Sequence, residues 1–283
     1  MAQPAKKPPE NEFNPPAPTG PAGLPAELAG AMAADAGRGV STAQEDNLVP
    51  LIYVLQTNSP QVNKRDERYI EGAEPGDIWL RNATHPIVRG DEGFLFQPCY
   101  FTKDWVEWVP RDSGGGFVGR HDGVPPDAKK TVNPQNPNTV THLRPNGNEV
   151  KETRNHMGYA VTPDGALAYA IPLTSSGHTV SREWMGLMNR QRIPGSGEKP
   201  ASWAVYYKLR TKQRHNKDGD WFVLVAENAG PGGEPMWVPS LADYERGKAL
   251  HEAFASGAKK VEAPAEDESP GGGDGISDEK IPF

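Results

Sequence analysis

Ala201-Ser-Trp-Ala-Val-Tyr-Tyr-Lys-Leu-Arg210 is the stretch on which the fold reading turns. Its β-branched and aromatic residues suit a pleated, half-buried surface. Asp220-Trp-Phe-Val-Leu-Val-Ala226 repeats the composition, and the residues between them include Asp218-Gly219, a turn pair. Together they read as a β-hairpin. Alternation along the first strand puts Trp203, Val205, Tyr207 and Leu209 on one face, and Tyr206, Lys208 and Arg210 on the other. The first set is a core face. The second presents one ring and two cations to solvent.

Outward from this hairpin the chain reads as short strands. Leu48 to Gln56 is strand-like with Pro50 at an edge position, and Ile78-Trp-Leu80 follows a turn cluster at Glu71 to Asp77. Gly93 to Phe101 and Trp105 to Val109 read as two further strands. Arg154 to Val161, the turn Thr162-Pro-Asp-Gly165 and Ala166 to Leu173 read as another strand pair. Two helices are expected. Thr179 to Arg190 gathers Trp184, Leu187 and Met188 on one face. Leu241 to Ala255 carries the stripe Leu241, Tyr244, Leu250 and Phe254, with Ser240 and Asp243 as a capping pair and Gly257 as a stop. A third, Leu24 to Ala36, is weakened by its glycines. Residues 121–155 are polar and rich in proline, and read as a long insertion or a loosely held hairpin.

Composition marks off the ends. Residues 1–47 are Pro, Ala and Gly with scattered charge, and read as a disordered arm. Residues 258–283 read as a disordered acidic tail, leaving 48–257 as one domain of ample size for a core. The formal net charge of -7 is unevenly spread. Three basic and six acidic side chains give 1–47 a charge of -3, one basic and seven acidic give 261–283 a charge of -6, and 48–260 is left at +2. An acidic whole therefore leaves a polyanion ligand open. The single cysteine, Cys99, excludes an internal disulfide. No apolar run approaches the roughly 20 residues that span a bilayer, and the N-terminal lysines precede no apolar segment. A soluble protein of the cytoplasm is expected, without a membrane partner.

Few residues suggest chemistry. Gly114-Gly-Gly116 in Pro110 to Arg120 lacks the Gly-Lys-Ser/Thr ending of a nucleotide loop and reads as a mobile loop over a groove. The seven histidines form no close ligand pair, and His121, Asp122, Asp127 and His142 lie in a segment where polar residues need no special cause. Cys99, among Phe96, Tyr100 and Phe101, reads as a buried inert thiol. No catalytic set, metal site or cofactor is expected. The denser signal is basic. Arg190, Arg192, Lys199, Lys208, Arg210, Lys212, Arg214 and Lys217 surround Glu198 as the only acid among residues 190–217. Such cations hold phosphates, and Tyr206, Trp221, Trp105 and Trp108 are candidates to stack on bases.

Two resemblances bear on this reading. The acidic, Gly/Pro-rich end with Asp278, Glu279, Ile281, Pro282 and Phe283 resembles the C-terminal tip of bacterial single-stranded-DNA-binding proteins, with Lys280 where that family has another acid. The likeness implies docking of replication or recombination proteins through the tip. Leu51 to Val62, Tyr69 to Asp77, Cys99-Tyr100 and Glu107 to Arg111 resemble bacteriophage replication-region proteins, some described as single-stranded-DNA-binding. Together they imply a mostly-β, elaborated OB-like barrel with one or two short helices, binding single-stranded DNA without sequence preference in phage-type replication, recombination or repair. The number of copies stays open, a homo-oligomer included. Two other classes also stay open: a phage structural or assembly protein that ignores DNA and uses its tail as a docking peptide, and a nuclease or nucleotide-dependent enzyme with scattered site residues, which would turn over a nucleic-acid strand in a metal-dependent way.

Overall fold

The computed structural model describes residues 26–35, 48–110, 113–133, 136–163, 165–216 and 219–264. The chain divides into two units, residues 1–43 and 44–283. In the first, α1 (Ala26–Ala34) forms where the sequence offered a weak helix.

The second unit is built on two long strands. β5 (Phe94–Trp108) and β9 (Glu149–Thr162) pair antiparallel from Leu95↔Val161 to Trp108↔Glu149. β5 is one strand where the sequence suggested two, because the polar Thr102 to Asp104 interrupts the apolar pattern without interrupting the ladder. Around this pair lies a sheet of nine strands among the described residues. Towards the start of β5, β11 (Val205–Asn216) and β12 (Gly219–Asn228) extend it on one side, and β10 (Gly165–Leu173) on the other. Towards its end, β6 (Phe117–His121) pairs with β5, while β8 (Asn136–Leu143) and β7 (Lys129–Asn133) continue from β9.

Alternation along the strands gives the sheet two apolar faces. Phe94, Phe96, Ala160, Tyr169, Ile171, Tyr207 and Leu209 face one core, completed by Val180 and Trp184 of α2 (Gly177–Arg190). The small sheet β2 (Ile52–Val54), β3 (Ile78–Leu80) and β4 (Ile87–Val88) packs into the same core. Cys99, Met157 and Ala170 face the other core, with Leu250 and Phe254 of α3 (Leu241–Ala255). α3 begins as its sequence dictates: the Ser240 hydroxyl accepts from the Asp243 N–H at 3.1 Å. Leu241 of the expected stripe is instead 75 % exposed, because it lies in the first turn before the helix meets the sheet. The ends of the unit are tied by β1 (Leu48–Val49) and β14 (Lys260–Val261), which pair parallel.

One expectation needs correction. No sheet closes on itself among the described residues: β12 and β7 end the strand order, so the OB-like barrel is replaced by an open, helix-flanked antiparallel sheet. Short strands of even spacing are compatible with either, and closure is a matter of long-range pairing that local patterns do not specify. The insertion at 121–155 takes the hairpin alternative over part of its length, in the antiparallel β7–β8 pair, and holds the first part of β9. Its Thr, Val and charged residues suit outer strands with little to bury. Of the segment 258–283 expected to be a disordered tail, residues 258–264 are described and carry β14, while residues 265–283, with the docking residues Asp278, Glu279, Ile281, Pro282 and Phe283, lie outside the described residues.

Candidate functional site

The basic residues are spread over the end of α2, the loop after it and β11. Arg190 ends α2 and is exposed. Beside it Arg192 donates to the carbonyls of Asn189 and Gln191 at 2.8 and 2.7 Å, and Lys199 to the Asn189 side chain at 2.6 Å. On β11, Arg210 is forked onto both oxygens of Glu227 at 2.7 and 2.6 Å. Lys208 is half-buried, Lys212 and Arg214 are exposed, and Lys217 lies outside the described residues. The exposed platform expected at Tyr206 is absent. Tyr206 is 6 % exposed, on the sheet face covered by α3, with Arg246 donating to its hydroxyl at 3.4 Å. Trp108 is 2 % exposed. Trp221 packs half-buried on the first core, and Trp105 packs its edge against the His142 ring. A ring under a helix cannot stack on a base.

His121, Asp127 and His142, read from the sequence as needing no special cause, fall near a group that the sequence reading missed. Glu107 on β5 is 1 % exposed and takes hydrogen bonds from Asn148 at 2.6 Å and Arg144 at 2.8 Å, with His121 at 2.8 Å. Arg144 also bridges to Asp127 at 2.9 Å. Burial opposes the ionised form of Glu107, but these bonds outweigh it and hold the carboxyl down at about 2. Arg144, Asn148 and His121 all bind this carboxylate, so it fastens β5, β6 and the β8–β9 turn together. No group of three or more acidic, histidine or cysteine side chains placed to hold a metal occurs among the described residues.

The concave site lies elsewhere, where the sheet splits. β11 pairs with β5 only over Tyr207↔Phe96, Lys208↔Leu95 and Leu209↔Phe94; Val205 and Tyr206 pair instead with β13 (Met236–Trp237). β5 is irregular at the same point, between Pro98 and Tyr100, and Pro98 has no N–H to offer a ladder. A cavity of about 380 Å³ opens beside this bare stretch. Its walls are Pro98 to Phe101, the Lys199 to Ser202 segment, Met185 and Met188 of α2, and His251 of α3, with His156 and Tyr207 from the sheet.

Two of its polar groups, His156 and Tyr207, are held neutral by burial. His156 is fully buried, stacked on Trp184 with ring centres 4.5 Å apart, and its Nε2 lies 2.9 Å from the Ser181 hydroxyl. Burial, with a smaller effect from Arg154, pushes its pKa down to about 3. Burial pushes the Tyr207 phenol up to about 12 against a bond to Gln191, whose amide donates onward to Asn228 at 2.8 Å. Cys99 is raised to about 12 by burial, so it is the inert thiol expected and no nucleophile.

With the geometry in place, comparison with known families is informative. The family described as Pam3 phage gp34-like protein matches residues 20–260. The chain belongs to that family. The bacteriophage part of the earlier resemblance therefore stands, and the match stops short of the acidic tip. Among curated proteins and among solved structures nothing matches this gp34-like chain.

The expectation of single-stranded-DNA binding is overturned, and with it the associated replication, recombination and repair roles. It rested on a solvent-facing aromatic, basic strand, on the acidic tip and on the two resemblances, with a closed barrel as the fold they implied. The sheet is open among the described residues, Tyr206 and Trp108 are buried, and the family's description names no such activity. No helix among the described residues is long and apolar enough to cross a membrane.

Proposed function

We propose that this is a non-enzymatic structural or assembly protein of a phage, acting through contacts with other proteins, with the acidic segment after Pro264 as a docking peptide. The observation that carries the reading is the open end of the sheet. β6 and β7 are outermost strands among the described residues, and Val118, Val124 and Val132 on and beside them are 48, 36 and 43 % exposed. A strand edge with free backbone groups and apolar side chains is the kind of surface that another chain covers. The Glu107 cluster braces this end, so the edge is presented on a stiff support. The absence of catalysis is supported by the raised Cys99 thiol and by a Glu107 carboxylate saturated with donors.

A nonsense mutation in the phage gene tests this reading. Phage DNA synthesis should continue at the normal rate while the yield of complete particles falls. Arrest of DNA synthesis with normal particle proteins would contradict it.

A further inference from the structure

The cavity at the split of the sheet is not used by this reading, and its chemistry is specific enough to name a ligand class. About 380 Å³ is within the range of small-molecule sites. Tyr100, Phe101 and Tyr207 supply rings, and Met185 and Met188 supply thioethers that pack well on aromatic edges. No carboxylate lines it, and Lys199, its one lining cation, is exposed and bonded to Asn189.

One polar atom of a lining residue is unexplained. His156 Nδ1 is buried and has no hydrogen-bond partner among the described residues, although Nε2 has Ser181. Buried polar atoms are nearly always paired, and one left alone is costly. The same ring is locked by stacking on Trp184 and by contact with Phe101 at 4.9 Å, so it cannot turn to find a partner. The imidazole stays neutral, and Nδ1 is then a donor or an acceptor according to which nitrogen holds the proton.

We infer that the cavity binds an uncharged hydroxyaromatic molecule of one or two rings, its hydroxyl bonded to His156 Nδ1. A hydroxyl both donates and accepts, so it satisfies Nδ1 in either tautomer. The ring replaces water against the methionines and aromatics. An acid of the same size would find only Lys199, an exposed cation already bonded to Asn189, and a cation would meet no carboxylate.

The test is a calorimetric titration of the full chain with 2-naphthol, with naphthalene and 2-naphthoate as comparison probes. Saturable one-to-one binding of 2-naphthol is expected, about tenfold or more tighter than naphthalene, as one hydrogen bond to a buried group implies. Ala201→Trp, which fills the mouth, should abolish binding with an unchanged circular dichroism spectrum. Should that variant fail to fold, Met188→Trp fills the cavity from the α2 side. His156→Phe should remove the preference for 2-naphthol over naphthalene. The proposal is overturned by the absence of saturable binding, by equal affinity for naphthalene or 2-naphthoate, or by undiminished binding to a folded cavity-filling variant.

Discussion

The side-chain amide of Gln56 caps the backbone of Phe222 as a neighbouring strand would: its Nε2 donates to the Phe222 carbonyl at 2.9 Å, and the Phe222 N–H donates to its Oε1 at 2.9 Å. β12 is the last strand on its side of the sheet, so these two bonds close part of an edge that would otherwise stand open. One side chain from a loop thus makes the edge non-adhesive there, while β6 and β7 at the other end have no such device described.

Gln56→Ala removes both bonds and leaves a part-buried peptide group without partners. A loss of about 1–3 kcal/mol is expected. Hydrogen exchange at the Phe222 amide should quicken in step, which distinguishes loss of the cap from a general loosening. Unchanged exchange at Phe222 would show that the cap contributes nothing.

Glu107→Gln keeps the shape of the clamp and removes its charge. The native carboxyl is held at about 2 from an ordinary 4.5, so ionisation contributes up to about 3 kcal/mol. With a lowered folded-state pKa, that stability is present above pH 4.5 and is lost as the pH falls through about 2. Wild type and variant should therefore differ most at neutral pH and converge near pH 2. Urea titrations across that range measure the difference directly.

His156 gives a second dependence in a different window. Its pKa is about 3 in the fold against an ordinary 6.5, so the unfolded chain binds a proton that the folded chain refuses. Stability from this group is complete above pH 6.5 and falls as pH drops towards 3, with a slope of up to about 1.4 kcal/mol per unit. In His156→Phe the curve between pH 6 and 4 should be shallower by about that amount. An unaltered slope would mean that the imidazole accepts its proton without unfolding.

Gly247 lets α3 lie close on the sheet. A Cβ there would stand 2.7 Å from Trp203 Cβ and 2.8 Å from Gln97 Nε2, which itself donates to the Trp203 carbonyl at 2.8 Å. Gly247→Ala should destabilise by about 1–2 kcal/mol, because overpacking exceeds the gain in helix propensity. A change in tryptophan emission is expected with it, while a stabilised protein would show that the helix simply moves outward.

What the sequence revealed follows the range of the forces involved. α3 was legible from Ser240 to Gly257 because capping, stripe and stop are local signals. The β9–β10 and β11–β12 pairs were legible because short turns join their strands. The openness of the sheet was not, since β5 meets its partners across up to about a hundred residues. Tyr206 was misread for a related reason. Its alternation was right, but the face it occupies is covered by α3, some forty residues later. The cavity was invisible because β5, β9, α2, α3 and a loop each supply part of it. Its one advance sign was Pro98, a residue that breaks a ladder within a strand, beside an unexplained histidine at 156.

The central claim, that this chain works by joining phage proteins, is tested most directly by quantitative mass spectrometry of gradient-purified virions and assembly intermediates. The account predicts the protein in one or more particle fractions at a constant copy number relative to other structural proteins. Abundant synthesis during infection with no copies in any particle fraction would contradict it.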